Sequence, residues 1–120
     1  MNKQALINAL FSSLGAFVCI GFLAYLNSSI EGAIWLIPPF GASMVLVMAV
    51  YESPLAKPKN LILGHILSAL SGVIIFYFLG NTFFSLGLAV ALAVFVMMIT
   101  NTVHPPAGAN PIIVILTCLL

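Results

Sequence analysis

Apolar residues run through the chain in long stretches, and a few polar clusters divide it into segments. The first run extends from about Ala5 to Leu26 without a charge, with Gly15 and Gly21 spaced for close approach of a neighbouring helix. Asn27-Ser28-Ser29 ends it, and Ile30-Glu31-Gly32 leads into a second run reaching Tyr51. Pro38-Pro39-Phe40-Gly41 interrupts this second run. A proline pair removes two N–H donors and fixes two φ angles, so no continuous helix is expected through it. The polar stretch Glu52 to Asn60 reads as a loop. Segment three, Leu61 to Leu79, repeats His65, Ser68 and Gly72 along one helical face, and such a stripe is expected to face protein rather than lipid. After Gly80-Asn81-Thr82, segment four runs from Phe83 to Thr100, apolar all round apart from Ser85 and Gly87. It meets a second proline-rich stretch ending at Pro111. The residues from Ile112 to Leu120 would form a helix of only about 13 Å, too short for a hydrocarbon core of about 30 Å. The expected fold is all-α: one membrane domain over residues 1–120, a polytopic bundle of about four spans with two helix breaks and a terminal half-span.

Composition fixes the solvent. The chain is 63% hydrophobic and 4% charged, whereas a soluble domain carries about 25% charged residues. Three lysines and two glutamates cannot coat a globule of 120 residues, which excludes a soluble enzyme and a disordered chain. A net charge of +1 gives no footprint for nucleic acid. Lys3, Lys57 and Lys59 place both ends of the first two segments on one side, the cytoplasm by the positive-inside rule, with a bacterial inner membrane as the expected location. Lys3 before an apolar run resembles a signal peptide, but the run is too long for an h-region and is read as a retained span. Cys19 and Cys118 lie inside apolar runs and are read as small packing residues.

The two proline-rich stretches align without gaps. Pro38-Pro39-Phe40-Gly41-Ala42-Ser43 and Pro105-Pro106-Ala107-Gly108-Ala109-Asn110 share Pro-Pro-x-Gly-Ala-(Ser/Asn) and then enter apolar runs. Interrupted segments at corresponding places are the best sequence pointer to a transporter's binding site; two ordinary helix breaks are the simpler reading. Gly41 and Gly108 permit unusual φ and close backbone approach, and Ser43 and Asn110 are good N-cap types for the helices expected to follow. Two helix N-termini aimed at one cavity favour a small anion. No Asp or Glu lies within an expected span to compensate a cation.

The motif His104-Pro105-Pro106-Ala107-Gly108-Ala109, together with Gly41-Ala42-Ser43 and Glu52 to Asn60 followed by Gly64-His65, closely resembles the HPP family of integral membrane proteins over nearly the whole chain. The resemblance implies a four-helix transmembrane unit and, through plant-plastid and cyanobacterial members, nitrite transport. Many bacterial members add a cytoplasmic regulatory domain of the CBS type. Family members commonly continue past the motif, so a chain stopping at Leu120 is read as a short member or a fragment. Its half-span is expected to be completed by another copy or another membrane chain.

Individual residues divide between chemistry and packing. His104 is read as an anion donor or proton carrier, with helix capping as the alternative. His65 is read as a hydrogen-bonding residue across helices and, with Glu52, Lys57 and Lys59, as part of a cytoplasmic mouth whose lysines concentrate anions. Glu52 is expected to pair with Lys57 or His65, and the simpler reading of all three charges is a solvated loop. Trp35 and Tyr51 fit interfacial aromatic belts, and Met44, Met48, Met97 and Met98 are read as packing. A metal site at the histidines lacks further ligands nearby, and no cofactor is expected. The expected function is transport of a small inorganic anion, with His104, Gly108, Ala109, Asn110, Gly41, Ala42 and Ser43 as binding residues. A non-transporting assembly or sensory subunit is the alternative, and a membrane enzyme is third because no nucleophile–base pair, metal cluster or phosphate loop is present in the sequence.

Overall fold

The computed structural model describes residues 2–32 and 36–117, and all regular structure among them is helical. Trp35 and Cys118 lie outside these residues. The chain divides into two compact units, Met1–Ser53 and Pro54–Leu120.

The first unit opens with α1, Lys3–Ser29. The Asn2 side chain accepts the Ala5 N–H at 2.7 Å, which starts the helix two residues before the apolar run. At its other end Ser28 Oγ donates back to the Tyr25 carbonyl at 2.9 Å, so the expected turn at Asn27-Ser28-Ser29 stays helical. Helix α2, Pro38–Met44, begins on the proline pair, after an extended Ile37. The residue before a proline is pushed to extended backbone, and proline's fixed φ suits the first helical position. A π-helical turn, Val45–Ala49, continues it. There Ser12 Oγ of α1 donates to the Met48 carbonyl at 2.7 Å. A Cβ on Gly15 would stand 3.0 Å from Met48 Sδ, so Gly15 supplies the expected close approach, while Gly21 meets nothing within 4 Å.

The second unit comprises a 3-10 turn Pro54–Ala56, α3 Pro58–Leu79, α4 Phe83–Ile99, a 3-10 turn Pro105–Ala109 and α5 Asn110–Thr117. Helix α3 starts at Pro58 rather than Leu61, again because proline is preorganised for the first helical position. Lys59 and Asn60 therefore sit in its first turn and not in a loop. Gly80, at φ 62°, closes α3 in a conformation that favours glycine. Thr82 and Ser85 then form a reciprocal capping box that opens α4.

The interior of this unit is small and polar. Helix α3 buries Gly64, Ser68, Ser71 and Gly72, and α4 buries Ser85, Ala89, Ala93 and Met97, one residue per turn along a single stripe. Large apolar side chains point outward instead: Phe83, Tyr77 and Phe78 are 91%, 81% and 74% exposed. A protein folding in water does the reverse. In lipid, apolar side chains gain nothing by leaving the solvent, and small residues let backbones approach until dispersion and interhelical hydrogen bonds hold them. The stripe expected on segment three is this buried face.

Two helices, α1 and α3, are long and apolar enough to cross a membrane. Helix α4 has 17 residues, about 25 Å at 1.5 Å per residue. The second and fifth segments are shorter apolar helices, Pro38–Ala49 and Pro105–Thr117. The second helix starts later than its apolar run, at Pro38, and the last starts earlier than expected, at Pro105 rather than Ile112, because each begins at its proline pair.

Glycine positions test this packing. A Cβ on Gly64 would lie 2.8 Å from His104 Cβ and 3.0 Å from the Thr102 carbonyl oxygen, and one on Gly72 would lie 2.8 Å from Pro111 Cα. Gly64→Ala and Gly72→Ala are each expected to destabilise the folded chain by about 1–3 kcal/mol. Gly87→Ala, with nothing within 4 Å, is expected to be neutral or slightly stabilising. Thermal unfolding in detergent micelles reads the difference, and equal effects at the three positions would contradict the packing.

Candidate functional site

Helix α4 ends at Ile99 with Thr100 as its C-cap, and the chain reverses through Asn101, whose φ of 53° lies in the left-handed region that Asn tolerates better than most side chains. The Thr102 N–H returns to the Met97 carbonyl at 2.9 Å, and the Thr100 and Thr102 hydroxyls pair at 2.7 Å. The segment 102–111 then runs against α3. Asn60 Nδ2 donates to the Val103 carbonyl at 2.9 Å, and Ser68 Oγ donates to the Ala107 carbonyl. Irregular backbone at membrane depth needs such partners, since lipid offers none.

Three polar side chains meet here. His104 is fully buried, and its Nδ1 lies 2.9 Å from the Leu55 carbonyl oxygen. Asn110 is 5% exposed; its Nδ2 lies 2.8 Å from His65 Nδ1 and 3.1 Å from the His65 carbonyl oxygen. The two imidazoles meet edge to face with centroids 5.2 Å apart. His65 therefore belongs with the second proline motif and makes the cross-helix bonds expected of it; it does not line the lysine mouth.

That mouth is a separate open groove of about 410 Å³, lined by Pro54, Leu55, Lys57, Lys59, Asn60, Asn101 and Val103. Its lining holds two ammonium groups and two amides and, among the described residues, no carboxylate. Leu55 and Val103 are common to both places, since they line the groove and their carbonyls bind His104 and Asn60. Glu52 is an exposed turn residue of the first unit. Among the described residues no group of three or more His, Cys, Asp or Glu side chains gathers as a metal site would require.

The proline motifs behave alike but not as expected. Both prolines of each pair occupy the first helical positions, so neither offers an N–H, and the next N–H in each case turns back, Phe40 to the Ile37 carbonyl and Ala107 to the His104 carbonyl, both at 3.0 Å. The helix starts earlier than expected, which moves Ser43 and Asn110 out of the N-cap role. Ser43 is buried inside α2, and Asn110 has helical backbone, with its side chain used on His65. Gly41 and Gly108 have no positive φ. What each leaves is open space, with nothing within 4 Å of a would-be Cβ. Ala42 and Pro38 are exposed, Pro39 is buried, and Pro105 is exposed with Pro106 and Ala109 half-buried.

Sequence reasoning assigned no role to Asn60, Asn101 or Thr102. A polar residue one turn into an apolar helix, as Asn60 is, was the available signal. Ser68 was placed on the right face without its partner.

An apolar exterior around a polar, small-residue interior defines a helical integral membrane protein. The chain belongs to the HPP family: the model of the HPP transmembrane region matches residues 1–118. It is similar to two transmembrane proteins of Dictyostelium discoideum. One is 40% identical over 114 residues, covering 89% of this chain and 37% of that protein. The other is 44% identical over 85 residues, covering 68% of this chain and 30% of that protein. The chain thus spans about a third of the length of these relatives. No solved structure matches it.

The Ser68 bond is separable from the glycine contacts. Ser68→Ala is expected to cost about 0.5–1.5 kcal/mol, read as a fall in unfolding midpoint in micelles, and Ser68→Thr is expected to cost more, because it adds a methyl at a fully buried position.

Proposed function

We propose that this chain is the membrane part of a transporter for a small inorganic anion, nitrite being the anion that the family resemblance favours. The observation that carries the reading is the groove: two lysines and two asparagine amides around an opening that, among the described residues, no carboxylate lines. Among the described residues neither Lys57 nor Lys59 has an ion-pair partner. An anion drawn there is held by ammonium and amide donors, and the lysines raise its local concentration in a manner that salt weakens. Behind Leu55 of the groove wall lies His104, with Asn110 on the neighbouring His65, and Gly108 has open space beside it; Ala109 follows it in the motif. Gly41, Ala42 and Ser43 would play the matching part in the first unit. Because prolines lead both motifs, side-chain donors rather than free helix N–H groups bind the anion.

Lys3, Lys57 and Lys59 support reading this mouth as cytoplasmic by the positive-inside rule, with a bacterial inner membrane as the proposed location. The short helices α2 and α5 are proposed to pack against a second copy or a completing membrane chain. A second reading, a non-transporting assembly or sensory module, draws on a different observation. Ser68, Asn60 and His104 already bond to the protein's own carbonyls, as packing groups would.

Flux of nitrite, nitrate and chloride into liposomes holding the purified chain separates the two. Transport predicts nitrite-dependent flux that falls several-fold in Lys57→Gln/Lys59→Gln at low salt, with the gap closing toward about 1 M salt. It also predicts loss of flux in His104→Ala. Flux unchanged by His104→Ala and by pH between about 5 and 8 would sink the role of His104, and no flux of any anion would favour the second reading.

A further inference from the structure

The sequence of the second unit holds two lysines and no Asp or Glu. Both lysines line the same groove, so neither ammonium has a side-chain carboxylate in that unit to pair with. Lys57 is the N-cap of α3 but makes no side-chain cap bond, and Lys59 sits in the first turn; both are exposed. Asn60 and Asn101 add amides to the lining. Pro58 has no N–H, and the Lys59 and Asn60 N–H groups lie in a first turn where no helix carbonyl reaches them. The positive end of α3 thus adds to the lysines. Such a surface matches an oxyanion.

The face of α3 below Lys59 narrows the choice of oxyanion. Ile62, Leu63, Ile66, Leu70 and Val73 follow it at helical spacing, so they stand on its side of the helix. All five are exposed, whereas Gly64, Ser68 and Gly72, on the opposite face, are buried. Lys59 to Leu70 is about 16 Å of helix at 1.5 Å per residue, close to half of a hydrocarbon core of about 30 Å. A free inorganic anion uses the lysines and leaves this apolar ladder aside. An amphiphile with an anionic head uses both.

We propose that the groove and the ladder together bind one anionic phospholipid, with its phosphodiester oxygens on Lys57, Lys59 and the amides and an acyl chain along Ile62, Leu63, Ile66 and Leu70. Phosphate oxygens accept from ammonium and amide N–H groups alike, and the ammonium bonds are charge-assisted. A lysine at the head of a lipid-facing helix keeps its charge in the interface while its stem lies along apolar surface. The anionic lipids of a cytoplasmic leaflet carry this chemistry, and basic pockets beside membrane helices take their headgroups. The site goes beyond the transport reading and does not rest on it, because lipid binding is read without flux. Absent flux overturns transport and leaves the headgroup in place; absent lipid selectivity leaves transport as it was.

The test is native mass spectrometry of the purified chain in detergent, titrated with phosphatidylglycerol and with phosphatidylcholine of the same acyl chains. One phosphatidylglycerol is expected to stay bound per chain, several-fold more tightly than phosphatidylcholine. Lys57→Gln and Lys59→Gln are each expected to weaken it about fivefold. Lys3→Gln removes the same charge from the first unit and is expected to change it by less than about twofold. Asn101→Gly keeps the positive φ of that position, removes the amide and is expected to weaken binding as well. Equal affinity for the two lipids, or equal effects of Lys3→Gln and Lys59→Gln, overturns the proposal. Inorganic phosphate and glycerophosphoglycerol, the same headgroup without acyl chains, separate the two sources of the oxyanion. Neither is expected to displace phosphatidylglycerol at equal concentration, and displacement by either assigns the groove to a free anion and overturns the lipid. Should a variant fail to fold, the comparison of the two lipids on the native chain decides.

Discussion

The second unit depends on how closely α3 approaches the segment 102–111. Gly64 and Gly72 have no side chain at the two places where that segment touches the helix, one against His104 and Thr102 and the other against Pro111. At that range the remaining polar groups reach each other: Asn60 to Val103, Ser68 to Ala107, Asn110 to His65. A methyl group at either glycine would push the segment out, and each of these bonds would lengthen together. In lipid the freed carbonyls would have no water to turn to, so packing and hydrogen bonding here succeed or fail as one.

The same constraint explains why the histidines lie where they do. A buried imidazole is costly unless its N–H finds an acceptor, and the non-helical turn Pro54–Ala56 supplies one at Leu55. Proline makes this possible twice over. Pro54 and Pro58 bracket the turn, and Pro105 forces His104 into extended backbone, at φ −136° and ψ 100°. The groove is the outer side of the same construction, since Leu55 and Val103 contribute to its wall. Lysine charges therefore stay in the open while the imidazoles stay inside, separated by one layer of backbone.

Much of the fold was legible because local rules governed it. Apolar runs bounded by turn residues located α3 and α4 closely, and the stripe of His65, Ser68 and Gly72 identified the face that is buried. The two Pro-Pro-x-Gly-Ala stretches were recognisable as related, and both do begin helices. Their internal chemistry was misread because the caps are Ile37 and His104, not Ser43 and Asn110: proline itself can open a helix. Partners of the polar residues were not legible. Asn110 and His65 are 45 residues apart and Asn60 and Val103 are 43 apart, and pairings at such separation are set by tertiary packing that no local pattern encodes. The mouth was half legible, since Lys57 and Lys59 line it while Glu52 and His65 do not.

The close approach of α3 to the second proline segment is the claim on which the rest stands. Magic-angle-spinning NMR of the ¹³C-labelled chain in lipid bilayers measures it directly through carbon–carbon contacts between Gly72 and Pro111 and between Gly64 and His104. The account predicts cross-peaks for both pairs at mixing times that report neighbours within about 5 Å, the range of close helix contact. Their absence, in spectra where contacts within α3 are strong, would contradict it.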